Sequence, residues 1–95
     1  ADAGLWEEAL AQYERAAALA RQADLSVAEA LAGMEHARVS GYAGGHSAES
    51  EARAVGAAAV FRGEGRSDLL GDALRLLGEI RLGLGNPAGA ADAFG

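Results

Sequence analysis

Apolar residues return at steps of three and four along nearly the whole chain, and no stretch alternates at a step of two. That is the period of helices with one face turned inward, not of strands. A first helix is predicted from Leu5 to about Gln22, with Trp6, Ala9, Leu10, Tyr13, Ala16, Ala17 and Ala20 on the apolar side. Glu7, Glu8, Gln12, Glu14 and Arg15 fill the other side. A second opens at Ser26-Val27-Ala28-Glu29, the spacing of a capping box, and runs to about Ser40, stopping at Gly41. The third spans about Ser47 to Arg62, with Ala48, Ala52, Val55, Ala59 and Val60 inward and a Glu49/Arg53 pair one turn apart outside. Gly63 and Gly65 end it. The fourth starts near Ser67-Asp68 and carries Leu70, Ala73, Leu74, Leu77, Ile80 and Leu84 as its stripe, until Gly85. Asn86-Pro87 then starts a fifth, with asparagine as the cap and proline at the first helical position, where its missing N–H costs nothing.

Five helices joined by short polar or glycine-rich links predict an all-α chain, an antiparallel stack of helical hairpins. Internal similarity favours an array over a closed bundle. Sliding residues 25 to 45 forward by 45 places lays Leu25 on Leu70, Ala28 on Ala73, Leu31 on Leu76 and Gly33 on Gly78. The unit is a helix pair of roughly 40 residues. On this reading the chain is a single domain, residues 1–95. Residues 1–24 hold the second helix of a truncated unit, 25–65 a complete pair, and 66–95 a third unit cut short.

Composition narrows the picture. The apolar fraction, 51%, comes mainly from Ala and Leu, with only five aromatic residues, so helices are expected to approach closely. The chain has no cysteine, which excludes disulfides and thiolate metal sites. No apolar run comes near the roughly 20 residues that cross a bilayer, and the first 20 residues lack a signal-peptide pattern. A net charge of −6, with eight arginines scattered among fourteen acids, disfavours direct nucleic-acid binding. A soluble, cytoplasmic protein is expected.

"LRLLGEIRLGLGNPAGAADAF", residues 74–94, resembles the tetratricopeptide repeat through Leu74, Leu77-Gly78, Gly85, Ala90 and Phe94. "GLWEEALAQYERA" is similar to that repeat's turn and second helix through Gly4, Ala9, Tyr13 and Ala16. The middle unit keeps Ala32-Gly33 but departs from the pattern. Glu29 stands where a large apolar residue is usual, His36 and Arg81 stand where an aromatic is usual, and the turn "SGYAGGHSAES" carries extra residues. The resemblance implies a right-handed α-solenoid fragment. Arginine without lysine, and units nearer forty residues than about 34, look most like the repeats in sensory regions of large transcription regulators from high-GC bacteria. Because stacked repeats bury their faces against neighbours, the ends are expected to be covered by a longer chain or by a second copy. Trp6 is the candidate for self-association.

Candidate chemistry is sparse. His46, in Gly45-His46-Ser47-Ala48-Glu49, is expected in a solvent-exposed turn and cap, and His36 on an inward helix face as a structural histidine. No metalloprotease, phosphate-loop or nucleophile-elbow motif occurs. "GEGRS" at 63–67 lacks the lysine and strand of a phosphate cradle, and acidic pairs such as Glu7/Glu8 and Asp68/Asp72 belong to solvated faces. No enzymatic activity, cofactor or metal is expected. Binding has more support. The resemblance implies that the first helix of each pair, here 26–40 and 68–84, lines a concave surface for a peptide or protein. The candidate contacts are Val27, Leu31, Met34, Arg38, Arg75, Glu79 and Leu82, beside Ala30, Asp72 and Leu76, with Arg38 and Arg75 placed to grip a carboxylate. The alternative is a structural or self-associating segment with no separate ligand, a homodimer through its terminal helices.

Overall fold

The structure is a computed structural model that describes residues 3–94. It contains α1 (Ala3–Gln22), α2 (Ser26–Gly44), α3 (Ala48–Gly63), α4 (Ser67–Gly83) and α5 (Pro87–Phe94), with no strand among the described residues. The outermost positions of the divisions 1–24 and 66–95 lie outside the described residues.

Three of the four turns are the same hydrogen-bonded structure. After α1, Asp24 takes a left-handed conformation (φ 59°), its N–H donates to the Arg21 carbonyl (3.1 Å) and the next N–H, of Leu25, donates to the Ala20 carbonyl (2.8 Å). Gly65 (φ 70°) and Gly85 (φ 79°) repeat the pattern: Arg66 donates to Phe61 and Asn86 to Arg81, each at 2.8 Å. This pair of bonds satisfies carbonyls that a helix end leaves open and reverses the chain in two residues. The α2–α3 connection is built differently. Gly45 (φ 87°) and His46 lead to an extended Ser47, whose hydroxyl accepts from the Ser50 N–H (3.2 Å) while the Ser50 hydroxyl accepts from the Ser47 N–H (2.8 Å).

The capping box therefore lies at Ser47/Ser50 and not at Ser26/Glu29. Leu25, not Ser26, precedes the first turn of α2, and no side chain caps it. Ser26 Oγ donates instead to Glu64 (3.4 Å), and Glu29 accepts from Arg21 (2.7 Å). Because Leu25 takes the cap position, Ser26 is the first helical residue, one place too late to cap the helix. Two further expectations are corrected. Helix α2 continues through Gly41 to Gly44, because glycine weakens a helix without ending it. The repeat offset is 41 positions, from Asp24 to Gly65 and from Ser26 to Ser67, not 45. The 45-place overlay matched leucine, alanine and glycine in a chain rich in all three.

The helices pack in order, each on the next, and α2 also touches α4; no contact joins α1 to α5 among the described residues. The molecule is a slab of 38 × 34 × 18 Å, about two helix diameters thick. Its core centres on Phe61 and Ile80, fully buried, with Met34, Ala37, Ala54, Ala57, Ala58, Ala73, Leu76 and Leu77 around them. Truncating a phenylalanine in such a core costs about 3–5 kcal/mol. The inward face of α3 is Ala54, Ala57, Ala58 and Phe61. The expected Ala48, Ala52, Val55 and Ala59 are exposed, Val55 by 43%, and Val60 is half-buried. On α1, Leu10, Tyr13, Ala17 and Ala20 turn inward while Ala16 is exposed. On α4, Ala73, Leu77 and Ile80 are buried as expected, whereas Leu84 sits exposed at the C-cap. Gly78 is buried where a Cβ would overlap the Phe94 ring, so it is the missing side chain that admits α5.

Candidate functional site

Helices α2 and α4 are not consecutive, and they meet over a short stretch only. Beside that contact a cleft of about 200 Å³ opens, lined by Arg38 and Tyr42 of α2 and by Asp72, Arg75, Leu76 and Glu79 of α4. The spacing explains the set: 72, 75, 76 and 79 share one face of α4, and 38 and 42 are one turn apart on α2. Leu76, buried, forms the apolar floor. Arg38 is half-buried and is ion-paired with Glu35 on its own helix. Asp72, Arg75 and Glu79 are exposed and make no ion pair among the described residues. Tyr42 is 69% exposed, and the Trp6 ring of α1 lies against it, with centroids 6.2 Å apart and planes tilted by 41°.

Four residues nominated from sequence fall elsewhere. Met34, 2% exposed, is part of the core, filling space between the alanines of α2 and α3, and is no surface contact. Val27 and Leu31 are half-buried and line a different, open hollow at the start of α2, with Asp24, Leu25, Ser26 and Ala28. Leu82 is exposed but does not line the cleft. Arg38, Arg75 and Glu79 come together as expected, with Asp72 and Leu76. Tyr42 was not anticipated, because it belongs to the turn of α2 that lies beyond the expected stop at Gly41. Trp6, nominated for self-association, is 37% exposed and turns one side to Tyr42.

The two histidines lie apart in role. His36 is 9% exposed, its Nε2 3.3 Å from Glu14 Oε1 and its Nδ1 3.4 Å from Ser40 Oγ. Arg53 joins the group, 3.4 Å from Glu14 and 3.0 Å from Glu49. Burial, and next the Arg53 guanidinium, hold the imidazole below its ordinary pKa against the opposing pull of Glu14 and Glu49. The order Ser40–His36–Glu14 is that of a nucleophile, a base and an orienting acid. Both contacts are at the long limit, however, and the adjoining hollow of about 60 Å³, lined also by Ser47, Glu49, Ser50 and Arg53, has room for about two waters. The arrangement ties α1, α2 and α3 together.

His46 is not in a solvent-exposed cap. Its ring is half-buried at positions where a Cβ on Gly41 of α2 or on Gly83 of α4 would overlap it, and its Nδ1 is buried with no hydrogen-bond partner among the described residues. The ring is a spacer between two helices that carry glycine to receive it. No group of three His, Asp or Glu side chains is placed to hold a metal ion among the described residues. No described helix is long and apolar enough to cross a membrane. Comparison with known protein families, with curated proteins and with solved structures finds no match.

Proposed function

We infer that this chain is an interaction module that holds a short segment of another protein in the cleft between α2 and α4. The observation that carries the reading is the cleft itself: charged side chains of Arg38, Asp72, Arg75 and Glu79 converge over an apolar floor on a face that no neighbouring helix covers. Binding surfaces combine an apolar base with a few oriented polar groups in this way. The likeness of residues 74–94 to the tetratricopeptide repeat supports the same conclusion, since arrays of that kind hold ligands between the first helices of successive pairs. The resemblance further supports reading the module as part of a cytoplasmic regulatory protein of a high-GC bacterium.

Selection from a random peptide library against the whole chain tests the reading. Recovered peptides should bind the wild type and lose most of their affinity for the triple variant Asp72→Ala, Arg75→Ala, Glu79→Ala, whose changes lie on an exposed helix face where alanine keeps the helix. Ligands that bind the triple variant equally well would contradict it.

Self-association is the second reading, and exposed Leu5 and Leu19 on α1 favour it, because they share a side of that helix with no helix packed on it. Sedimentation equilibrium separates the two. One protomer mass at all concentrations supports the module, and a dimer that dissociates on Trp6→Ala or Leu19→Gln supports association.

A further inference from the structure

Which sign of charge the cleft accepts follows from a count of its unsatisfied groups, and this step rests on the interaction reading above. Two arginines beside an open surface suggest a carboxylate ligand at first sight. The geometry removes one of them: the Arg38 guanidinium is occupied by Glu35, so an incoming carboxylate would have to displace a partner three residues away on the same helix. Arg75 stands between Asp72 and Glu79, three and four positions along α4, so either acid can reach it, and when one does the other is left without a cation. With Arg38 taken by Glu35, the cleft is left with two carboxylates, Asp72 and Glu79, against the one guanidinium of Arg75, a net negative charge.

Three other features point the same way. Helix α2 ends beside the cleft with no basic residue in its last turn, leaving the negative end of its dipole uncompensated. Tyr42, in that turn, offers the cleft an exposed aromatic ring held by Trp6, a surface that attracts cations. The chain as a whole carries a charge of −6, which draws a basic partner in and repels an acidic one.

We propose that the α2–α4 cleft receives the cationic side chain of a partner protein, an arginine or lysine inserted between Tyr42 and the carboxylates of Asp72 and Glu79, over Leu76. The cleft volume suits one long side chain, so specificity resides in a single basic residue and its immediate neighbours.

The test uses the whole chain and two blocked peptides without aromatic residues, acetyl-Gly-Leu-Arg-Arg-Leu-Gly-amide and acetyl-Gly-Leu-Glu-Glu-Leu-Gly-amide. Binding is read by calorimetry and by the emission of Trp6, the one tryptophan of the chain. The basic peptide should bind saturably and perturb Trp6. Replacing Asp72→Asn with Glu79→Gln should weaken it by about tenfold or more, the loss of roughly one charge-assisted hydrogen bond. Replacing Glu8→Gln with Asp92→Asn changes the net charge equally at exposed positions outside the cleft and should weaken it by less than about twofold, since such charges are screened. Equal weakening by both double variants would overturn the proposal, as attraction to the net charge alone. Binding of the acidic peptide, lost on Arg75→Gln, would overturn it while leaving the interaction module standing. Failure of the basic peptide to bind the wild type would overturn the cationic site, and the library selection would then decide separately whether the module reading survives.

Discussion

His36 joins side chains of three helices in one polar group. It was legible as an inward-facing histidine from its place on α2, but its partners were not: Glu14 and Arg53 come from helices on either side, and only the fold brings Glu14 within 3.3 Å of His36 and Arg53 within 3.4 Å of Glu14. The folded protein holds the imidazole below its unfolded pKa of about 6.5 because burial and Arg53 penalise the cation. The sign follows by linkage. Where the unfolded chain binds more protons than the folded one, stability rises with pH. His36 therefore contributes nothing unfavourable above about pH 6.5 and costs stability as pH falls below its unfolded pKa toward the lower folded one. Urea midpoints at pH 7 and pH 5 should show a loss in the wild type that is smaller in His36→Gln; an equal loss in both would assign the dependence elsewhere.

At the scale of elements, the turns are the most transferable units. Asp24, Gly65 and Gly85 occupy the same left-handed position with the same pair of hydrogen bonds, and only Asp24 carries a side chain there. A left-handed residue with a Cβ costs about 1 kcal/mol that glycine avoids, partly offset by the freedom glycine adds to the unfolded chain. Asp24→Gly should raise stability by about 0.5–1 kcal/mol in urea unfolding. An unchanged or lowered midpoint would contradict the equivalence of the three turns.

The number of helices and most of their starts were legible because glycine and Asn-Pro punctuate the chain at real boundaries. The buried face of α3 was not, since alanine lies all round that helix and a helix with neighbours on two sides has no single stripe. Phe61, the largest apolar side chain on it, marks the face that the periodicity left undecided. The cleft was half legible. Arg38, Arg75 and Glu79 were nominated through the resemblance, which puts the first helices of successive pairs on one surface, whereas Tyr42 required knowing that α2 runs past Gly41, and the burial of Met34 required knowing which alanines oppose it.

For the whole molecule, the claim that organises the rest is that helices add in line and leave α2 and α4 side by side with an open cleft between them. Each helix contacts its sequence neighbours, the first and last do not meet among the described residues, and the result is a slab about two helices thick. Were the chain to close into a bundle, α1 or α5 would cover the surface where the cleft lies. The absence of cysteine makes the decisive distance directly measurable. Spin labels at Arg15→Cys on α1 and Ala91→Cys on α5, both exposed, should report a separation of at least about 20 Å, twice the spacing of helices in contact. A distance near the about 8–10 Å of directly packed helices would contradict the account.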